Sequence, residues 1–231
     1  MEVRDHLALA LDVDDLVDAT RLARKLRPYF GVAKVGLELF SAAGPEAVGT
    51  LRDMGYRVFL DLKLHDIPTT VAKASRVLGA LGAEFLTFHA HGGEVMLNAG
   101  VEGLLGGASA AGLPVPMAVA VTVLTSDADA PPHILPRRVA AAIESGCGGI
   151  VCSALDVHEA KLVAPRVFAI VPGTRPSGSD SHDQARISTP IDAMHAGADL
   201  LVVGRVVTHA DDQIAAAERF VASLESVVRA L

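Results

Sequence analysis

The chain has 231 residues, 51% hydrophobic and 20% charged, enough to bury a substantial core, and it is expected to form one domain over 1–231. Its net charge of −7, from 20 Lys and Arg against 27 Asp and Glu, is the wrong sign for a nucleic-acid or anionic-membrane partner. Cys147 and Cys152 are its only cysteines, which excludes a disulfide framework and a four-cysteine zinc site and points to a reducing cytoplasm.

The start, Met1 to His6, carries Glu2, Arg4 and Asp5 and leads straight into an apolar run, unlike an export signal. No apolar run approaches the roughly 18 residues of a spanning helix, so the positive mean hydropathy of +0.39 must go into a core.

Short apolar runs recur along the chain, each closing on a polar residue, a proline or a glycine: Leu7 to Asp12, Val32 to Gly36, Val58 to Asp61, Phe85 to His89, Met117 to Thr125, Ile150 to Ser153, Phe168 to Pro172 and Leu200 to Gly204. These are expected to be strands. Between them lie segments with helical spacing, such as Leu16, Thr20, Ala23, Leu26 and Val71, Ala74, Leu78, Leu81, with Gly55, Gly82, Gly146 and Gly197 at the expected helix stops. Strands that are nearly continuously apolar belong to a parallel sheet covered on both faces. Eight strand and helix units in 231 residues without a Pro/Ser-rich linker fit an α/β fold of the closed (β/α)8 TIM-barrel type in a single domain. No G-x-G-x-x-G follows the first run; Asp12, Val13, Asp14 and Asp15 stand there and would repel a pyrophosphate, which argues against a dinucleotide fold.

Barrel enzymes gather their chemistry at the C-terminal ends of the strands. Those ends carry Asp12, Lys34, Asp61, Lys63, His89, Thr125 and Arg205. Alternation along a strand turns Asp61 and Lys63 to one face and Leu60 and Leu62 to the other, toward the helices. Lys34 is expected at the same depth on the neighbouring strand, and Asp66 opens the following loop. A solvated ion pair worth about 0–1 kcal/mol is the bland alternative. A strand covered on both sides has no structural need of such a pair, however, and burying one gains little over apolar packing. Negative neighbours favour the ammonium form of a lysine, which suits a proton donor better than a Schiff-base nucleophile.

The run from Pro172 through Gly173, Thr174, Arg175 and Gln184 to Pro190 is long and rich in Gly, Ser and Pro, as a lid would be. With Gly204 and Arg205 it follows the two last strands, where barrels often hold phosphate. His89 and His91 could be read as a metal pair. A catalytic zinc needs a third protein ligand and an open position, so a packing role is expected for them and no metal ligand is assigned.

The segment VFLDLKLHDIPTTV, Val58 to Val71, resembles the signature of the orotidine 5'-phosphate decarboxylase family. Four further blocks occur in that family's order: LALDVDD around Asp12, AKVGLELF around Lys34, AVTVLTS around Thr125, and VPGTRPSGSDSHDQAR leading to VVGRVVT around Arg205. The resemblance implies a decarboxylase acting on orotidine 5'-phosphate, with no cofactor, working as a homodimer with shared sites. It makes Lys63 the proton donor and Asp61 the carboxylate facing that of the substrate. It has Asp66 and Thr70 serving the partner's site, with Ile67 and Thr69 on the same segment, and Lys34 completing the charge network and touching ribose. Asp12 would bind ribose hydroxyls and Thr125 or Ser126 the pyrimidine. Pro172, Arg175, Gln184, Gly204 and Arg205 would form the phosphate end.

Two rivals remain. Phosphosugar lyases of the same barrel superfamily also carry Asp-x-Lys-x-x-Asp but use Mg2+, with a carboxylate where Lys34 stands. Glu38 is nearby but is expected in the following segment. A non-catalytic sensor of nucleotide phosphates would keep the barrel, yet would gain little from retaining Asp61 and Lys63.

Overall fold

In the computed structural model, which describes residues 2–124, 130–174 and 188–230, the strands close into one parallel barrel. They are β1 (Leu7–Ala10), β2 (Val32–Gly36), β3 (Arg57–Leu64), β4 (Phe85–His89), β5 (Met117–Val121), β6 (Gly149–Val151), β7 (Phe168–Pro172) and β8 (Leu200–Val203). They run in sequence order around the ring, with β8 pairing back onto β1.

The helices are α1 (Leu16–Leu26), α2 (Leu37–Ala43), α3 (Pro45–Asp53), α4 (Pro68–Gly79), α5 (Gly93–Ala110), α6 (Ile134–Glu144), α7 (Val157–Val163), α8 (Pro190–His195), α9 (Arg205–Thr208) and α10 (Gln213–Val228). The glycine stops fall as expected: Gly55, Gly82, Gly146 and Gly197 have φ of 83°, 78°, 84° and 102°, a conformation that costs a glycine nothing. In α4 the helical spacing needs adjustment. Ser75 rather than Ala74 is fully buried, its hydroxyl donating to Val71 O at 2.7 Å, and Leu81 lies beyond the helix end.

Alternation along the strands sorts the apolar residues into two cores. One lies between sheet and helices and includes Leu7, Leu9, Val35, Leu60, Leu86 and Val203. The other fills the barrel itself with Ala8, Ala10, Val32, Phe59, Phe85, Val119, Ile170, Leu200 and Val202, against Met117, Val151 and Phe168. Its aromatic rings pack across the lumen, Phe59 edge-on to Phe85 at 5.9 Å and Phe85 stacked on Phe168 at 5.6 Å between centroids. The barrel is therefore plugged, as such barrels are. At the C-terminal mouth Asp61 and Thr87 stand two positions beyond the plug residues Phe59 and Phe85, as Gly204 does beyond Val202, while Lys34 follows Val32 by two positions and pairs in register with Phe59.

Candidate active site

The mouth holds a cavity of about 270 Å³ floored by Phe59 and lined by Asp12, Lys34, Asp61, Lys63, Pro172, Gly173, Thr174, Gly204 and Arg205, with apolar walls from Val121, Val123, Leu124 and Val151. Seven of the expected site residues, Asp12, Lys34, Asp61, Lys63, Pro172, Gly204 and Arg205, are thus brought to one space by β1, β2, β3, β7, β8 and the turns after them. Thr125, Ser126, Arg175 and Gln184 lie outside the described residues. Asp66, Ile67, Thr69 and Thr70 are exposed and do not line this cavity. Asp66 Oδ1 accepts from the Ile67 amide at 2.6 Å, and Ile67 is 66% exposed at the start of α4.

The charges pair in two layers. Lys63 Nζ donates to Asp61 Oδ2 at 2.8 Å, and Lys34 Nζ donates to Asp12 Oδ1 at 2.7 Å. Lys34 is not at the depth of Asp61, as simple counting along the strand suggested. The register sets Lys34 against Phe59 and Gly36 against Asp61, so Lys34 roots two residues deeper and its buried side chain reaches across to Asp12. Gly36 leaves room for this pair: a Cβ there would sit 3.0 Å from Lys34 Nζ and 3.1 Å from Asp12 Oδ1.

Asp61 and Lys63 do share a face, but not through plain alternation. The pairing of β3 with β4 passes from Leu60 opposite Leu86 to Leu64 opposite Phe88, so three residues, Asp61, Leu62 and Lys63, stand against the single residue Thr87. Such a bulge bends a strand and re-aims its side chains. Lys63 takes up the excess with φ 49°, the one positive φ among the described non-glycine residues. That conformation is costly for a side-chain-bearing residue and tends to persist at functional sites. Thr87 replaces the missing ladder partner. Its fully buried hydroxyl accepts from the Lys63 amide at 2.8 Å and donates to Asp61 Oδ1 at 3.1 Å. Thr87 was not among the expected site residues, although a hydroxyl in the otherwise apolar run Phe85 to Phe88 is the signal that marks it.

Beside the bulge, His65, His89 and His91 form a cluster with ring centroids 5.5, 5.6 and 6.2 Å apart. Arg138 from α6 reaches His91 Nδ1 at 3.1 Å. Burial first, then the positive fields of His65, Arg138, His91 and Lys63, hold the His89 pKa below the ordinary histidine value. Among the described residues no three His, Cys, Asp or Glu side chains are grouped so as to hold a metal ion. Glu38 is exposed in the first turn of α2, outside the cavity lining.

Comparison with known proteins agrees with this geometry. The model of the "Orotidine 5'-phosphate decarboxylase / HUMPS family" matches residues 5–220. An orotidine 5'-phosphate decarboxylase of Moorella thermoacetica is 43% identical over 239 residues, covering 98% of this chain and 95% of that one. One from Anaeromyxobacter sp. strain K is 45% identical over 235 residues, covering 97% of this chain and all (100%) of that one. The crystal structure of orotidine 5'-phosphate decarboxylase from Lactobacillus acidophilus superposes with a TM-score of 0.80 at 35% identity, covering 95% of this chain and 98% of that one. A barrel with its charges paired at the mouth and matches of this extent lead to one statement of kinship: the chain belongs to the orotidine 5'-phosphate decarboxylase / HUMPS family.

Proposed function

We propose that the protein converts orotidine 5'-phosphate to uridine 5'-phosphate, a step of pyrimidine nucleotide synthesis, without a cofactor and with Lys63 as proton donor. The observation that carries this reading is the Lys63 ammonium held 2.8 Å from Asp61, above a plugged barrel and in the same cavity as Arg205. Loss of CO2 from C6 of the pyrimidine leaves an electron pair in an sp2 orbital that no carbonyl delocalises directly. A fixed ammonium beside that carbon stabilises the developing charge. It then delivers its proton to C6, leaving a neutral amine that regains a proton from solvent.

In this reading Asp61 faces the departing carboxylate. The Asp12 and Lys34 pair takes the ribose hydroxyls, Thr125 or Ser126 the pyrimidine, and Pro172, Arg175, Gln184, Gly204 and Arg205 the phosphate end. Binding energy from the distant phosphate is then used to organise the reacting centre. Asp66 and Thr70, with Ile67 and Thr69 beside them, are exposed and do not line their own cavity; they would complete the site of a second copy, which makes the working unit a homodimer. Free Cys147 and Cys152 suit a reducing cytoplasm. Among the described residues no helix is long and apolar enough to cross a membrane.

Following the pyrimidine absorbance of orotidine 5'-phosphate, with and without EDTA, tests the reading. Rapid loss in both conditions is expected. Loss abolished by EDTA would contradict cofactor independence, and no loss at micromolar protein would leave a non-catalytic binder or the metal-dependent phosphosugar chemistry. Lys34, an ammonium where those enzymes carry a carboxylate, argues against the latter.

A further inference from the structure

Thr87 holds together the two residues on which the proposed chemistry rests, without touching the cavity. It is absent from the cavity lining and fully buried, one layer above Phe85 inside the barrel. Its single oxygen makes two bonds of opposite sense, accepting from the Lys63 backbone N–H at 2.8 Å and donating to Asp61 Oδ1 at 3.1 Å. The other oxygen of that carboxylate accepts from Lys63 Nζ at 2.8 Å. The four groups form a closed ring: the Lys63 amide, the Thr87 hydroxyl, the Asp61 carboxylate and the Lys63 ammonium.

Only a hydroxyl can serve at this position. It must accept from an amide and donate to a carboxylate through one atom, at a position closed to solvent. Without it, the Lys63 N–H opposite the bulge would be a buried donor with no partner, and such groups are costly. The Asp61 carboxylate would also lose the bond to Oδ1 and be held through Oδ2 alone. The left-handed turn at Lys63 is thus pinned from the side by β4, and the same bond fixes the plane of the carboxylate that receives the ammonium.

We propose that Thr87 is a positioning residue for the decarboxylation, setting the backbone of Lys63 and the carboxylate of Asp61 through one hydroxyl. This inference rests on the reading of Lys63 as proton donor. Small displacements of a reacting group cost up to about 100-fold in rate. The substrate's phosphate and ribose contacts lie elsewhere in the cavity, so the loss is expected in kcat and not in KM.

Thr87→Val, which keeps the shape and deletes the hydroxyl, should lower kcat by about 10- to 100-fold with KM within about twofold and uridine 5'-phosphate binding retained. Thr87→Ser, which keeps the hydroxyl, should stay within about threefold of the parent by the same reasoning. Parental kcat in Thr87→Val, or an equal loss in Thr87→Ser, would overturn the inference. Should Thr87→Val fail to fold, Thr87→Ala against Thr87→Ser isolates the same oxygen under the same criteria. Lys63→Ala assayed in parallel separates the two claims. If it is inactive while Thr87→Val is fully active, the role of Thr87 alone falls; if Lys63→Ala retains parental turnover, both fall.

Discussion

His89 sits where the cost of acquiring a charge is concentrated. It is half-buried at the end of β4, stacked on His65 and close to His91, with Arg138 and Lys63 adding positive field. Its pKa in the folded protein is lowered, chiefly by burial, so between that value and the unfolded value near 6.5 the unfolded chain binds more protons. Stability must then rise with pH through this window and fall on acidification. His89→Gln, which cannot titrate, should show a shallower dependence of Tm on pH between about 5 and 7 than the parent. Parallel curves for the two proteins would contradict the assignment. The two cysteines differ from His89 in lying deeper and in having no charged role: burial pushes both thiols up to about 12, which leaves them inert packing groups.

At the scale of elements, α4 and α5 meet backbone to backbone, and α4 begins in the exposed segment that carries Thr69 and Thr70. A Cβ on Gly103 would lie 2.2 Å from Ala72 O, and one on Gly107 2.0 Å from Arg76 O, so the helices can approach this closely only because α5 is glycine there. Gly103→Ala should destabilise the fold by about 1–3 kcal/mol through forced displacement of α4. Gly49→Ala in α3, where a Cβ meets nothing within 4 Å, should stabilise it by up to about 1 kcal/mol through helix propensity alone. Urea unfolding of both variants checks the contrast, and equal shifts of one sign would contradict it.

The strands were legible because each is an apolar run closed by a polar residue, proline or glycine, and burial on both faces demands that pattern. The path of β3 was not. Nothing in Asp61-Leu62-Lys63-Leu64 distinguishes regular alternation from three residues facing one, because the bulge is set by pairing with β4. The depth of Lys34 was hidden for a related reason: the stagger between neighbouring strands comes from barrel closure, and position within one strand does not encode it. Thr87 was visible as a lone hydroxyl in an apolar run, but its two partners follow only from the bulge.

Taken whole, the molecule puts its chemistry at one end of a closed ring and its stability in the ring itself. Phe59 belongs to both, as part of the aromatic plug and as the floor of the cavity. The residues of the signature segment that do not line the cavity, Asp66, Ile67, Thr69 and Thr70, are the ones the proposed homodimer would place in the site of a second copy. Mixing Asp66→Asn with Lys63→Ala protein should therefore restore part of the activity that each lacks alone, through hybrid dimers with one intact site. Absence of recovery after demonstrated subunit exchange would contradict the shared site.

The central claim concerns the Lys63 ammonium, and turnover of orotidine 5'-phosphate by Lys63→Ala, measured alongside its affinity for uridine 5'-phosphate, tests it most directly. A fall in kcat of about 10²- to 10⁴-fold or more with product binding still measurable is the predicted result. Turnover at the parental rate in that variant would contradict the account.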